Sequence, residues 1–347
     1  MQNIYFIRRR FRFDGGAEVS SSMYLDILNE IAPTSVVCED WPSSSAVNVF
    51  KIGKKGFTRT QRYLGFISAA RQFLELHPGL VHSHELLPGA SIIRLGDGLH
   101  SSWVRLGNVR TGFFSDSFHK EKVRLENSAL TARELKFVIV NSGMVAEEVR
   151  VSYGDIETVL IRNIVQERFE KRPENYNCLN DKLIFVGSGW DRKGLRSAIS
   201  ALVGLPSFIL DVFGRDRNQA KFERYARSLG VADRVVFRGS VPMNPCLYRG
   251  YTALIHPAVY EPFPNVAVEA LSQGVPVISS VNSGTSDFSR DEGVWTLPNI
   301  SSLEIKNAIE DISSQPVSMR SNFRDHIMQF DKKYLRNQLL HLYSNLF

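Results

Sequence analysis

The stretch His256-Pro257-Ala258-Val259-Tyr260-Glu261-Pro262-Phe263-Pro264-Asn265-Val266-Ala267-Val268-Glu269 decides the fold. The apolar run Ala253–His256 reads as a buried strand, and a proline-rich loop follows it. Asn265–Ser272 reads as a helix stopped at Gly274, and Val275–Ser279 as a second apolar strand. Strand, helix and strand at this spacing form a βαβ unit, which implies parallel strands covered by helices.

The same alternation runs outward in both directions. Toward the N-terminus, strands are expected at Leu183–Val186, Phe208–Phe213 and Val235–Arg238, with helices at Leu195–Leu202 and Gln219–Leu229. Further back, Asn3–Ile7, Ser35–Cys38, Val47–Lys51, Leu80–Ser83, Ile92–Leu95, Phe137–Asn141 and Thr158–Ile161 read as strands. A helix after the first strand carries Val19, Met23, Ile27 and Ile31 at four-residue spacing, and others are read at Thr58–Leu76, Arg124–Glu134 and Met144–Ser152. Residues 163–182 are polar and aperiodic, the best linker candidate. Two α/β domains are therefore expected, 1–163 and 164–329. A C-terminal amphipathic helix over 330–347 is expected to pack back on the first. In open parallel sheets ligands bind beyond the carboxyl ends of the strands, so a cleft between two such domains is the natural site.

Within the opening stretch, Pro264 is expected in the first helical turn, where its missing N–H costs nothing. The N–H groups near Pro264–Val266 then face out of a positive helix end, a ready anion site. Glu269 lies about 6 Å further along the axis. Two carboxylates flanking an anion pocket suit an anionic ligand with hydroxyls at both ends. An ordinary capped helix with two solvated glutamates is the alternative.

The second signal is Val186-Gly187-Ser188-Gly189-Trp190-Asp191-Arg192-Lys193-Gly194, which leaves a strand and opens a helix. Gly187 and Gly189 permit close backbone approach. Two cations are unfavourable at a helix N-terminus unless an anion joins them, and a pyrophosphate matches in charge. A third, weaker signal is Asp14-Gly15-Gly16-Ala17-Glu18, a glycine turn after the first strand. Fourth comes Gly96-Asp97-Gly98-Leu99-His100, at the end of a first-domain strand. His82 and His84 alternate on one strand and are expected to point to opposite faces, one lining the cleft and the other entering the core. The turn Ser283-Gly284-Thr285-Ser286-Asp287 is expected to offer N–H and hydroxyl groups to phosphate.

The Glu261-x7-Glu269 spacing, with Ala270-Leu271-Ser272-Gln273-Gly274-Val275-Pro276-Val277 after it, resembles the retaining glycosyltransferases of family 4. The resemblance covers the whole second half and continues more weakly through Asp14–Glu18, His82–Glu85 and Val140–Ser142. It implies the GT-B fold, two facing Rossmann-like domains with parallel sheets. It also implies that Glu261 contacts the sugar of a nucleotide-diphosphate donor. Backbone at Phe263, Pro264, Asn265 and Val266 would meet sugar hydroxyls and phosphate, with Pro264 unable to donate, and Glu269 would hold the ribose. Arg192 and Lys193 would neutralise the leaving diphosphate beside Gly187, and Gly15 and Gly16 would approach the donor. Many relatives carry a histidine where Asp97 stands here. The Gly-Asp-Gly-Leu-His run is similar to lipopolysaccharide-core transferases, so Asp97 first and His100 second are the candidates for the catalytic contact. The implied enzyme is a retaining, metal-independent hexosyltransferase with no cofactor, a UDP-sugar as the favoured donor and a glycan or lipid-linked glycan as acceptor. A nucleotide-sugar epimerase of the same fold and a non-catalytic nucleotide- or glycan-binding relative are the alternatives.

Composition excludes other classes. Of 347 residues, 43% are hydrophobic and 22% charged, too apolar and too balanced for a disordered chain. The three cysteines, Cys38, Cys178 and Cys246, form no C-x2-C pair, which argues against zinc and for a reducing compartment. Nothing approaches the ~18–20 apolar residues of a membrane span. Met1–Ile7 meets Arg8-Arg9-Arg10 in the reverse of a leader's order, so a cytoplasmic protein is expected. The net charge of +6 has no nucleic-acid motif behind it. With Arg8, Arg9, Arg10 and Arg12 clustered after the first strand, contact with an anionic acceptor or with the inner face of the cytoplasmic membrane is the favoured explanation.

Overall fold

A computed structural model describes residues 3–11, 16–41, 47–53, 56–106, 113–171, 181–344 and 346, with backbone alone at 16–19 and 113–116. Asp14 and Gly15 of the glycine turn, Arg12 and Cys178 lie outside the described residues. The chain divides into two compact units: 1–162 with 333–347, and 163–332.

Unit 1 holds one sheet of β1 (Ile4–Ile7), β2 (Thr34–Cys38), β3 (Asn48–Lys51), β4 (Leu80–Ser83), β5 (Ile92–Leu95), β6 (Phe137–Val140) and β7 (Thr158–Leu160). Unit 2 holds β8 (Lys182–Val186), β9 (Ile209–Phe213), β10 (Val235–Gly239), β11 (Ala253–His256), β12 (Val277–Ser280) and β13 (Val294–Leu297). All pairs are parallel. The orders are β3-β2-β1-β4-β5-β6-β7 and β10-β9-β8-β11-β12-β13. Each sheet thus grows from its first strand to one side and then reverses, so the order switches between β1 and β4 in unit 1 and between β8 and β11 in unit 2. Loops leaving the carboxyl ends on either side of a switch diverge and leave a crevice.

The strands are apolar because both faces are covered. Leu183, Ile184, Phe185 and Val186 are all buried, as are Leu254 and Ile255 beside them. Each such side chain contributes roughly 1.5–3 kcal/mol on burial. The helix Arg59–Leu76 starts at a capping box in which Thr58 accepts from the Gln61 N–H. Helix Lys332–Ser344 belongs to unit 1, burying Leu335, Leu339, Leu342 and Tyr343 there.

Several sequence expectations need correction. The helix expected over 124–134 spans Phe113–Leu130, and the helices His100–Arg105 and Met319–Met328 were not anticipated. Among the described side chains of Gly16–Ile31, Ser20, Ser21, Tyr24, Leu25, Ile27 and Leu28 are buried, whereas Met23 and Ile31 are only half-buried, and the side chain of Val19 lies outside the described ones. His82 and His84 do not split between faces. Residues two apart on a strand share a face, and both rings pack against Phe6 and Tyr24. Burial, with Arg94 nearby, lowers both pKa values, that of His82 to about 3.

Candidate functional site

The crevice between β8 and β11 gathers the two strongest motifs. The loop after β8 is anchored by Trp190, fully buried, whose indole Nε1 donates to the Gly187 carbonyl at 2.8 Å. The Trp190 N–H donates to Asp216 at 3.0 Å. At Gly194, φ is +78° and a Cβ would stand 2.2 Å from the Pro257 carbonyl oxygen, so the first loop packs backbone to backbone on the second. The Val259 N–H donates to the Arg192 carbonyl at 2.9 Å, completing the link.

The second loop holds Glu261 by its main chain. Its N–H donates to Asn282 at 3.0 Å, and its carbonyl accepts from the Gly284 N–H at 2.9 Å. This is the work of the 283–287 turn. The hydroxyls of Ser283 and Thr285 are not available to phosphate as expected, because both residues are buried, Ser283 Oγ pairs with Thr285 Oγ1, and Thr285 donates to Ser279.

So held, the Glu261 carboxylate meets both cations of the first loop. Arg192 donates to Oε2 at 2.7 Å and Lys193 Nζ lies 3.5 Å away. Arg192 also donates to the Tyr260 carbonyl at 3.1 Å. Burial pushes the Glu261 carboxyl up, but Lys193, His256 and Arg192 together hold it well below the usual carboxylate range. Burial likewise draws the Lys193 ammonium down, against the pull of Glu261. The cluster carries one net positive charge, two cations against one carboxylate.

His256, the last residue of β11, lies under this cluster and was not singled out by sequence reasoning. It is fully buried, and neither ring nitrogen has a hydrogen-bond partner among the described residues. At 3.8 Å its Nε2 is too far from Glu261 for a hydrogen bond. Burial first, then Lys193, lowers its pKa to about 4, so it is neutral at pH 7. The signal was its position at a strand's carboxyl end, one residue before Pro257.

Pro264 is the N-cap of the helix Asn265–Ser272 rather than a member of its first turn, with ψ at 120°. The N–H groups of Asn265 and Val266, first in that helix, have no acceptor among the described residues, as a helix N-terminus leaves them. Asn163, also missed by sequence reasoning, orders this turn: its Nδ2 donates to the Phe263 carbonyl at 3.1 Å and to Asn265 Oδ1 at 2.7 Å. The Phe263 ring itself is core, edge-on to Phe288. Glu269, one turn further, is buried and accepts from the Tyr248 hydroxyl at 2.8 Å. Burial raises its pKa to about 7 despite that bond. Gly187 takes φ +130° with the Lys193 side chain 3.0 Å from where a Cβ would stand, so its lack of a side chain makes room for that lysine.

The first-domain candidates separate. Asp97 is exposed in the turn after β5, on the wall of a cavity of about 380 Å³. His100 is not on that wall. Its ring stacks on Trp103 and His119, its Nε2 lies 2.9 Å from His119 Nδ1, and its N–H donates to the buried Glu126. Burial first, then Lys122, lowers its pKa to about 3. Gly16 opens the helix Gly16–Ile31. Among the described residues no group of three or more His, Cys, Asp or Glu is arranged to hold a metal, and no helix is long and apolar enough to cross a membrane.

Residues 167–329 match the family "Glycosyl transferases group 1". Among curated proteins, the chain is 28% identical over 165 residues to the lipopolysaccharide core biosynthesis glycosyltransferase LpsE of Rhizobium meliloti, 46% of this chain and 48% of that protein. It is 33% identical over 120 residues to the lipopolysaccharide glucosyltransferase WaaG of Escherichia coli, covering 33% of this chain and 32% of WaaG. These alignments span about half or less of the relatives' length. Among solved structures, a crystal structure of WaaG aligns with a TM-score of 0.79 at 19% identity, over 97% of this chain and 98% of that one. HepE of Anabaena in complex with UDP aligns at 0.74 and 17%, over 99% and 100%. These likenesses show the fold, GT-B.

Proposed function

We propose, from the match of residues 167–329 to the group 1 glycosyl transferases, that the chain is a retaining glycosyltransferase that moves a hexose from a nucleotide-diphosphate sugar, a UDP-sugar first, to a glycan acceptor. The observation that carries the reading is the Glu261–Arg192–Lys193 cluster at the switch between β8 and β11, beside the open N–H groups of Asn265 and Val266. A carboxylate that accepts from sugar hydroxyls sits there against two cations and a helix end that favour a diphosphate. Glu269, one turn along, is the acceptor for ribose hydroxyls once Tyr248 yields. Lipopolysaccharide-core relatives support a cell-surface glycan as acceptor, and the UDP bound to HepE supports the uridine nucleotide.

In the reaction the bond from C1 of the donor sugar to the leaving phosphate oxygen breaks. The acceptor hydroxyl oxygen attacks C1 from the same face, and its proton passes to that phosphate oxygen. Arg192, Lys193 and the helix N–H groups stabilise the charge that develops on the diphosphate, the role a metal takes in other transferases. Glu261 orients the sugar and stays ionised throughout.

The test is a screen of UDP, GDP and ADP for thermal stabilisation of the chain, followed by nucleoside diphosphate release from the matching sugars, with and without glycan acceptor and with EDTA. One nucleotide that stabilises and acceptor-dependent, EDTA-insensitive release are expected. Stabilisation by none of the three overturns the reading.

A further inference from the structure

The switch between β1 and β4 in unit 1 carries a second built crevice. Arg8, Arg9 and Arg10 leave the carboxyl end of β1, and Glu85 follows β4. Together with Arg59, Arg62 and Lys122 they surround the cavity of about 380 Å³ that Asp97 also lines. This places a concave, strongly cationic site where open parallel sheets bind ligands.

The charges differ in how they are held. Arg9 and Arg10 reach the buried carboxylate of Glu39 at 3.3 and 3.0 Å, and Arg8 lies 3.9 Å from Glu85. The cluster that looked like a free basic run in sequence is therefore largely paired. Arg59, Arg62 and Lys122 have no carboxylate partner among the described residues. Arg59 and Arg62 occupy the first turn of the helix Arg59–Leu76, which has no acidic residue there, so the helix end and both side chains concentrate positive potential in one place. The Arg59 guanidinium is held 4.0 Å over the Phe118 ring, and Arg9 stands 5.5 Å over Tyr63. Stacking of this kind fixes planar donors in advance of a ligand. Among the described residues, six cations stand against three carboxylates, Glu85, Asp97 and the Glu39 behind them, so the wall is cationic.

Asp97 is the informative exception. An exposed carboxylate with no partner among the described residues, on the rim of a cationic cavity, accepts from hydroxyls rather than repelling an anion at the cavity's centre. A ligand that suits both carries an oxyanion and hydroxyl groups. A volume of this size takes a phosphorylated sugar and is larger than phosphate alone requires.

We infer that this cavity binds a phosphorylated sugar unit of the acceptor, with Arg59, Arg62 and Lys122 on the phosphate and Asp97 on a hydroxyl. The inference rests on the glycosyltransferase reading for the word acceptor, but the binding site stands on its own geometry.

The full chain is titrated calorimetrically with mannose 6-phosphate, mannose, inorganic phosphate and, separately, UDP, and mixed with vesicles containing phosphatidylglycerol. Mannose 6-phosphate is expected to bind at least tenfold more tightly than mannose or inorganic phosphate. The exposed pair Arg59→Ser/Arg62→Ser is expected to weaken it at least tenfold. Asp97→Asn is expected to weaken mannose 6-phosphate while leaving inorganic phosphate unchanged. UDP binding by the double variant reports that the chain is folded. Equal binding of mannose and mannose 6-phosphate, or no effect of the double variant, overturns the inference. Vesicle binding lost in the double variant without any mannose 6-phosphate binding overturns it in favour of a membrane surface. Failure of UDP to bind the unsubstituted chain overturns the donor reading alone.

Discussion

The Glu261 carboxylate stands 2.7 Å from the Arg192 guanidinium, 69 residues away in sequence. The contact exists because β8 and β11 are neighbours in the sheet while the connections leave them in opposite directions. Arg192, Lys193 and Glu261 neutralise one another in part and leave one net positive charge for a diphosphate.

If these groups stabilise the departing diphosphate, Lys193→Ala and Glu261→Ala should each lower glycosyl transfer by at least ~10²-fold, the scale of a lost transition-state contact. Steady-state rates with the donor found by the nucleotide screen measure it. Near-normal transfer by both variants would exclude the assignment.

Glu269 sets a pH dependence. Its folded pKa of about 7 lies above the usual carboxylate value. A raised pKa means that its contribution to stability is full below about pH 4.5 and is lost as pH rises through 7. Glu269→Gln should therefore be more stable than the parent at pH 8, by up to about 3 kcal/mol, and little different at pH 4.5. The ribose contact needs the ionised form, so UDP affinity of the parent should rise between pH 6 and 8 and be weak and flat in Glu269→Gln. Thermal melts and calorimetry across that range decide both.

The histidines shielded from water act with the opposite sign. The pKa values of His82, His100 and His256 fall to about 3, 3 and 4. A lowered pKa gives stability that is present above the unfolded value near 6.5 and lost as pH falls toward 4. Three such groups outweigh Glu269, so the melting temperature should drop between pH 6.5 and 4. A flat melting temperature over that interval would mean that these rings are solvated.

Gly194 fixes the spacing of the two site loops. Gly194→Ala brings a Cβ 2.2 Å from the Pro257 oxygen at a positive φ. It should cost more than the ~1 kcal/mol of an ordinary glycine replacement and weaken UDP binding with it. Gly189→Ala, with a positive φ but open space around the new Cβ, should cost less. Denaturant unfolding of the pair separates collision from backbone strain.

Which parts were legible in the sequence follows from distance along the chain. Strands such as Ala253–His256 are continuous apolar runs and announce themselves, and Glu261 and Glu269 stand in one local motif. The partners that tune them do not. Tyr248 meets Glu269 from a short turn 21 residues earlier, and Glu39 reaches Arg9 and Arg10 because β2 pairs with β1. Arg8 to Arg10 therefore looked unpaired in sequence, while the three cations without carboxylate partners among the described residues come from two helices far from them. The helix His100–Arg105 was invisible because six residues with no side-chain cap carry too little period to read.

The helix Lys332–Ser344 offers the last test, which separates buried from surface contributions on one element. Tyr343 is buried, its hydroxyl lies 2.7 Å from His82 Nδ1, and the other nitrogen of His82 has no partner among the described residues. Tyr343→Phe leaves that imidazole without its bond inside the unit, at a cost of about 1–3 kcal/mol. Arg336 pairs with Glu30 at 3.0 Å, but both side chains are about half exposed, so water and salt screen them. Arg336→Ala should cost no more than ~0.5 kcal/mol, and less in 0.5 M salt. Urea unfolding of the two variants should rank them in that order. The reverse ranking would mean that the helix is held to unit 1 by its charged edge rather than by Leu335, Leu339, Leu342 and the Tyr343–His82 bond.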